Sequence, residues 1–290
     1  MEGVPYFISV EEAQDIVNRT PLPRRLEEVP LDDCHGRILA EDLASKVDDP
    51  PFDNSSMDGF ACKHDPEANY PQTYSIQGIA PAAGEAQERV LEPNKAYRIM
   101  TGAPLPKGAD SILQIERCTI DEENNTVTLL EAPKPHFVRK QGENLKQGTV
   151  SLKAGAVLTP SRVGLCATMG YPTIPVFQPL RIAVLSTGDE LKQPGEDLVL
   201  GEVYESNSYG LAGLVRWMGH EAVRYEAVND TMDALRATLQ QASEECDLIL
   251  TSGGVSMGEF DFVRKIMVEE GDLHFWRMKI KLERVMPYCL

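Results

Sequence analysis

Apolar positions in the last third of the chain fall into short runs, each cut off by small polar residues. Residues 247–250 (DLIL) form one run, and Thr251, Ser252, Gly253 and Gly254 stop it abruptly. Residues 181–185 (RIAVL) form another, stopped by Ser186, Thr187 and Gly188. Runs of this length and composition predict buried strands. Between them, residues 209–218 (YGLAGLVRWM) carry apolar side chains at helical spacing, with Gly219 as a stop. Residues 221–228 (EAVRYEAV) predict a further strand, and residues 233–242 a helix. Strands alternating with helices predict a parallel sheet with right-handed crossovers.

Upstream the pattern changes. Ser9 and Glu12 make a capping box ahead of Ala13, Ile16 and Val17, so a helix starts there and Pro21 and Pro23 end it. Residues 29–31 predict a short strand and residues 33–43 a second helix, after which composition shifts near Lys46. Residues 70–132 read as all-β, with apolar runs at 74–76, 89–91, 111–115 and 127–130 and a hairpin signal at Asn124 and Asn125. Thr159, Pro160 and Ser161 open a helix that runs to Gly170. Pro172, Pro175 and Pro179 then make a stiff connector into the α/β region.

The chemistry concentrates where strands end. In an open α/β sheet, ligands sit beyond the carboxyl ends of the strands, so the loops after 185 and 250 would line one crevice. Gly253 and Gly254 let the backbone approach a ligand with N–H groups facing an anion, and Thr251, Ser252 and Ser256 add hydroxyls. Carboxylates follow each of the three strands (Asp189 and Glu190, Asp230, Asp261), and Asp261 suits a metal ion. As a plain alternative, these carboxylates cap helices. In residues 50–61 (PPFDNSSMDGFA), Phe52, Met57 and Phe60 would pin a turn-rich loop, holding Asn54, Ser55 and Asp58 in place. Thr101 closes a strand-like run before Gly102, and VRKQGEN at 138–144 reads as a charged turn around Gly142.

The 290 residues carry a formal charge of −17, which argues against nucleic acid and anionic membranes as partners. No run of about 18 uncharged apolar residues predicts a membrane helix, and the acidic start lacks a secretory pattern. Cys34, Cys62, Cys118, Cys166, Cys246 and Cys289 are scattered without CxxC spacing, so neither a zinc site nor a disulfide framework is expected. A cytoplasmic protein is the expectation.

Several stretches together resemble a known family. LSTGDEL at 185–191, ND at 229–230 and TSGGVSMGEFD at 251–261 are similar to the molybdopterin-binding domain of molybdopterin molybdenumtransferases, the group that includes the gephyrin E-domain. PPFDNSSMDGFA at 50–61, RIMTGAPLPKGAD at 98–110 and VRKQGEN at 138–144 resemble further motifs of that group, in the same order. The resemblance implies a three-layer α/β molybdopterin-binding domain with a parallel sheet at 178–290. It also implies an elongated N-terminal region, with a discontinuous linker and helical domain (1–46 plus 141–177) around an inserted mainly-β domain (47–140). The implied activity is insertion of molybdate into adenylated molybdopterin with release of AMP, dependent on Mg2+, by a homodimer that receives its substrate from an upstream adenylyltransferase.

The resemblance assigns catalytic roles to Asp58, Thr101, Glu190, Asp230 and Asp261, with Glu190 and Asp261 closest to the metal and Asp58 paired in space with Thr101, acting in trans. Ser186, Thr187, Gly188, Asp189, Ser252, Gly253, Gly254 and Ser256 would contact the pterin nucleotide. Arg139 and Asn144 would face its cleft. Arg277, Lys279 and Lys281 in WRMKIK share one strand face and are the candidates for molybdate; the bland reading is a charged edge strand. After this motif the family continues with a Pro-Gly-x-Pro loop and a C-terminal β domain, whereas this chain reads LERVMPYCL. On that ground the α/β domain is expected to be incomplete, the C-terminal β domain absent, and insertion weak or lost with binding of adenylated molybdopterin retained. Two other readings stay open: a molybdopterin-binding scaffold without turnover, and a molybdopterin adenylyltransferase, which the motifs around Asp58 and Thr101 disfavour.

Overall fold

The computed structural model describes residues 7–82, 89–228, 231–253, 262–275 and 277–279. They fold as two compact units, one of residues 28–176 and one of residues up to 27 together with those from 177 onward.

Helix α1 (Val10–Arg19) begins where the capping box predicts: Ser9 Oγ accepts from Glu12 N at 3.1 Å, and Glu12 Oε2 accepts from Ser9 N at 2.7 Å. It ends at Thr20, whose extended backbone precedes Pro21. The short strand before it, Phe7–Ile8, pairs in parallel with Arg277–Met278, and Lys279 N donates to Ile8 O at 2.8 Å. The basic strand predicted near residue 280 therefore has a partner on one side.

In the 28–176 unit, strands β1 (Gly59–Cys62), β2 (Gln72–Ala80), β3 (Lys95–Ile99), β4 (Ser111–Gln114), β5 (Cys118–Asp121) and β6 (Thr126–Leu129) form one sheet in the order β4-β1-β3-β2-β6-β5. Only the β2–β3 pair is parallel. Asn125, at φ 50°, makes the tight turn between β5 and β6, a backbone region that asparagine tolerates. Strand alternation splits the buried residues between two faces. Phe60, Cys62, Leu113, Val127 and Leu129 pack on one side, while Ala61, Ala80, Ile99, Ile112 and Val138 pack on the other.

A further core forms around helix α2 (Pro160–Thr168), with Cys34, Leu39, Leu43, Leu158, Met169 and Ile174 buried together. The helix predicted at 33–43 is absent. One 3-10 turn (Leu31–Asp33) leads to Gly36 at φ 79°, and an extended segment follows. There Leu39 N donates to Ala156 O (2.9 Å) and Ala40 N to Pro175 O (2.9 Å). Bonds to neighbouring segments replace helical ones, because a left-handed glycine interrupts the turn that would start the helix.

In the other unit, β7 (Arg181–Ser186), β8 (Glu221–Arg224) and β9 (Leu248–Ser252) make a parallel sheet in the order β8-β7-β9. Helices α3 (Asn207–Trp217), α4 (Met232–Glu245) and α5 (Phe262–Glu270) complete it. Ile182 and Val184 of β7 pack with Ala212 and Val215 of α3, and Ala183 and Leu185 pack with Leu239 and Ala242 of α4. One apolar strand thus meets helices on both faces, the three-layer arrangement its uninterrupted hydrophobicity implies. The strand predicted at 221–228 closes early, at Arg224. All five cysteines among the described residues are free. No helix among these residues is long and apolar enough to cross a membrane.

Candidate functional site

Strands β7 and β9 end side by side, with Ser186 in register with Ser252. Thr187 N donates to Ser252 O (3.0 Å) and Val228 N to Ser186 O (3.0 Å), so three segments meet at Thr187. Thr187 is 5% exposed, and among the described residues its Oγ1 has no hydrogen-bond partner. A buried hydroxyl without a partner is costly in a folded protein.

Gly253, at φ 96°, closes over this residue. A Cβ there would stand 2.5 Å from Thr187 O and 3.0 Å from its Oγ1. On the other side, Gly188 lies under the Glu190 carboxylate, whose oxygens stand 2.6 and 2.7 Å from where a Cβ would be. Residues 191–192 pair in parallel with 203–204 and fold the loop back onto the strand ends. The result is a cleft of about 300 Å³ lined by Ser186, Thr187, Glu190, Leu191, Val203, Tyr204, Glu205, Ser206, Asn207, Ser252 and Gly253. The first residues of α3 face it, and helix N-termini favour anions.

Glu205, Ser206 and Asn207 were not anticipated, although Ser-Asn ahead of an apolar helical run is a start signal. Glu205 is 2% exposed and accepts from Ser186 Oγ (2.9 Å), Ser208 N (2.7 Å) and Ser208 Oγ (2.6 Å). Burial pushes its carboxyl up, but the Ser208 and Ser186 hydrogen bonds and the nearby Arg224 outweigh it and hold it below the usual glutamate range. Asn207 Nδ2 donates to Ser252 Oγ at 2.9 Å, tying α3 to β9.

Of the residues singled out from sequence, Ser186, Thr187, Glu190, Ser252 and Gly253 line the cleft, with Gly188 beneath. Asp189 is exposed and outside the lining. Asp230, Gly254, Ser256, Asp261 and Lys281 lie outside the described residues. Arg277 opens the strand paired with Phe7–Ile8, Lys279 follows that strand, and neither lines the cleft. Among the described residues, no group of three or more His, Cys, Asp or Glu side chains could by itself hold a metal.

In the 28–176 unit the structure brings Asp58 and Thr101 together: Asp58 Oδ1 accepts from Thr101 N at 2.7 Å and from Thr101 Oγ1 at 3.0 Å. The backbone bond and then the hydroxyl bond keep the Asp58 carboxyl below the usual aspartate range. Since ionisation is what these donors favour, their support persists at neutral pH and is lost as pH falls through the depressed value. Thr101→Ala removes only the lesser donor. It is therefore expected to raise the Asp58 pKa part of the way to that of an ordinary aspartate, read by carboxyl-carbon NMR titration. A full return would show that the backbone bond contributes nothing.

Arg139 and Asn144 are engaged locally: Arg139 Nε lies 3.3 Å from Glu143 Oε1, and Asn144 Nδ2 donates to Asp49 Oδ2 at 2.9 Å. Asp53 receives Gln141 N (2.9 Å) and Lys140 Nζ (2.7 Å), so the charged turn is docked on the 48–54 segment.

Comparison with known proteins gives this arrangement relatives. Residues 8–170 match the model "MoeA N-terminal region (domain I and II)". Residues 183–289, which take in the closing stretch expected to depart from the family, match "Probable molybdopterin binding domain". A molybdopterin molybdenumtransferase of Haemophilus influenzae is 35% identical over 95% of this chain and 68% of its own length. Molybdopterin molybdenumtransferase 2 of Mycobacterium tuberculosis is 37% identical over 88% and 64%. The crystal structure of the molybdopterin biosynthesis MoeA protein of Pyrococcus horikoshii superposes with a TM-score of 0.77 at 29% identity, over 85% of this chain and 66% of that one. The chain thus spans about two thirds of the length of the relatives it matches. Similarity this extensive, along both units and through the motifs at the strand ends, establishes that the chain belongs to the MoeA family of molybdopterin molybdenumtransferases.

Proposed function

We propose that the cleft beyond β7 and β9 binds adenylated molybdopterin through its phosphates and that the protein inserts molybdate into this substrate with release of AMP. The observation that carries this reading is the buried Thr187 hydroxyl, unpartnered among the described residues, beneath a glycine whose missing side chain leaves the backbone open. Thr187, Ser252 and Gly253 offer hydroxyl and amide donors, with the start of α3 adding a favourable field. Cleaving a phosphoanhydride depends on charge neutralisation and positioning rather than on a protein nucleophile.

Among the described residues, Glu190 is the cleft carboxylate not committed to neighbours as Glu205 is, and Mg2+ is commonly held by one or two carboxylates plus substrate phosphates. Glu190 fits that ion and, with the Asp261 that the family resemblance assigns, would hold it, and the ion would neutralise charge developing on the phosphate oxygens. Asp58 and Thr101 act in trans on a second copy of the chain in a homodimer, Arg139 and Asn144 orient the docked turn, and Arg277, Lys279 and Lys281 supply the charge that attracts molybdate. We place the protein in the cytoplasm, downstream of an adenylyltransferase that supplies the substrate.

The test follows AMP release from adenylated molybdopterin with molybdate and Mg2+. Glu190→Gln and Asp261→Asn are each expected to slow it by about a hundredfold while leaving nucleotide binding near wild type. Full Mg2+-dependent release by either variant overturns the metal assignment. Consumption of ATP with free molybdopterin would identify an adenylyltransferase, and binding without either reaction a scaffold module.

A further inference from the structure

The floor of the cleft carries a negative charge where a phosphate is to bind. Glu205 is buried there, and a bare carboxylate would repel an anion while losing its own hydration. Its oxygens are instead occupied by Ser186 Oγ, Ser208 N and Ser208 Oγ, at 2.6 to 2.9 Å. Behind them, Ser208 Oγ accepts from Arg224 Nε at 2.9 Å. The Arg224 guanidinium lies 3.6 Å from the centre of the Tyr209 ring and donates to Gln193 Oε1 at 3.1 Å.

A hydroxyl has a single hydrogen to donate. The Ser186 and Ser208 hydrogens go to Glu205, so neither is free for an anion. Ser252 Oγ accepts from Asn207 and, among the described residues, donates its own hydrogen to none, just as Thr187 Oγ1 is unpartnered there. Two serines that look alike in sequence therefore present opposite polarity to the cleft.

We propose that Glu205 is a positioning residue for anion binding. Backed by Arg224, it locks Ser186 and the first turn of α3 so that Thr187 and Ser252, and not Ser186, offer hydrogens to the phosphate-bearing substrate. This rests on the reading of the cleft as the phosphate site.

Glu205→Gln exchanges an acceptor oxygen for a donor and forces Ser186 or Ser208 to turn. Arg224→Gln weakens the same lock from outside the cleft lining. Wild type, both variants and the double variant are titrated with adenylated molybdopterin, and their AMP release is followed. Glu205→Gln is expected to raise Kd and KM about tenfold, and Arg224→Gln roughly threefold, with kcat within about twofold of wild type. The double variant should be no worse than Glu205→Gln, since both act through Ser208.

A merely structural glutamate would lower the melting temperature and leave Kd unchanged. Wild-type affinity in folded Glu205→Gln and Arg224→Gln overturns the positioning role while the phosphate site stands. If Glu205→Gln does not fold, unchanged affinity in Arg224→Gln alone overturns it. A wild-type protein that does not bind the nucleotide removes the reading of the cleft and this inference with it.

Discussion

Gly59→Ala is expected to lower the melting midpoint of the 28–176 unit by roughly 6–12 °C, at about 2–4 °C for each kcal/mol in a unit of this size. A Cβ at Gly59 would stand 2.0 Å from Leu113 O, 2.9 Å from Leu113 C and 3.1 Å from the Gln114 Cα. All three are backbone atoms of β4, and β1 is held between β3 and β4, so no flexible side chain can yield. Overpacking of this kind costs about 3 kcal/mol. Gly59 is not among the positive-φ residues, so the effect is steric and serine in its place should be no better tolerated. Because Asp58 precedes it, the displaced strand should also weaken the contact with Thr101. Calorimetry or circular dichroism decides the matter; a fall under about 2 °C would mean the two strands separate easily.

The α/β unit was largely legible because its signals are local. Residues 181–185 are apolar on both alternating sets, and the structure places helices on both faces of that strand. The α1 cap was legible for the same reason: Ser9 and Glu12 are three residues apart. Residues 33–43 misled because buried Leu39 and Leu43, four positions apart, reach their core from an extended backbone. Their spacing passes for helical while Gly36 rules a helix out.

At the cleft, glycines and hydroxyls after strands pointed to Ser186, Thr187, Ser252 and Gly253. The hydroxyls could not be told apart, since the direction of each proton depends on partners far along the chain. Glu205 reaches Ser186 across 19 positions, and Arg224 reaches Gln193 across 31. No periodicity encodes such a network. Asp58 and Thr101, 43 residues apart, were paired only through the family resemblance.

Gly253→Ala is expected to weaken binding of adenylated molybdopterin by about a hundredfold or more. Two strains add at this position. The backbone at φ 96° is disfavoured for any residue with a Cβ, and that atom would overlap Thr187 O at 2.5 Å. Thr187 has little room to retreat, because it is buried and its N–H is held by Ser252 O. The loop must lift or Thr187 must turn, and either movement takes a hydroxyl and a backbone N–H away from the anion. Two hydrogen bonds to a charged group are together worth about 3–6 kcal/mol, and about 2.7 kcal/mol already corresponds to a hundredfold in affinity. Gly201→Ala is the control, since its φ of 103° carries similar backbone strain while nothing lies within 4 Å of the added atom. Titration of both variants isolates the overlap at Thr187. Should they bind the nucleotide equally well, the phosphates are not held at the 252–253 turn, and the anion site must be sought elsewhere.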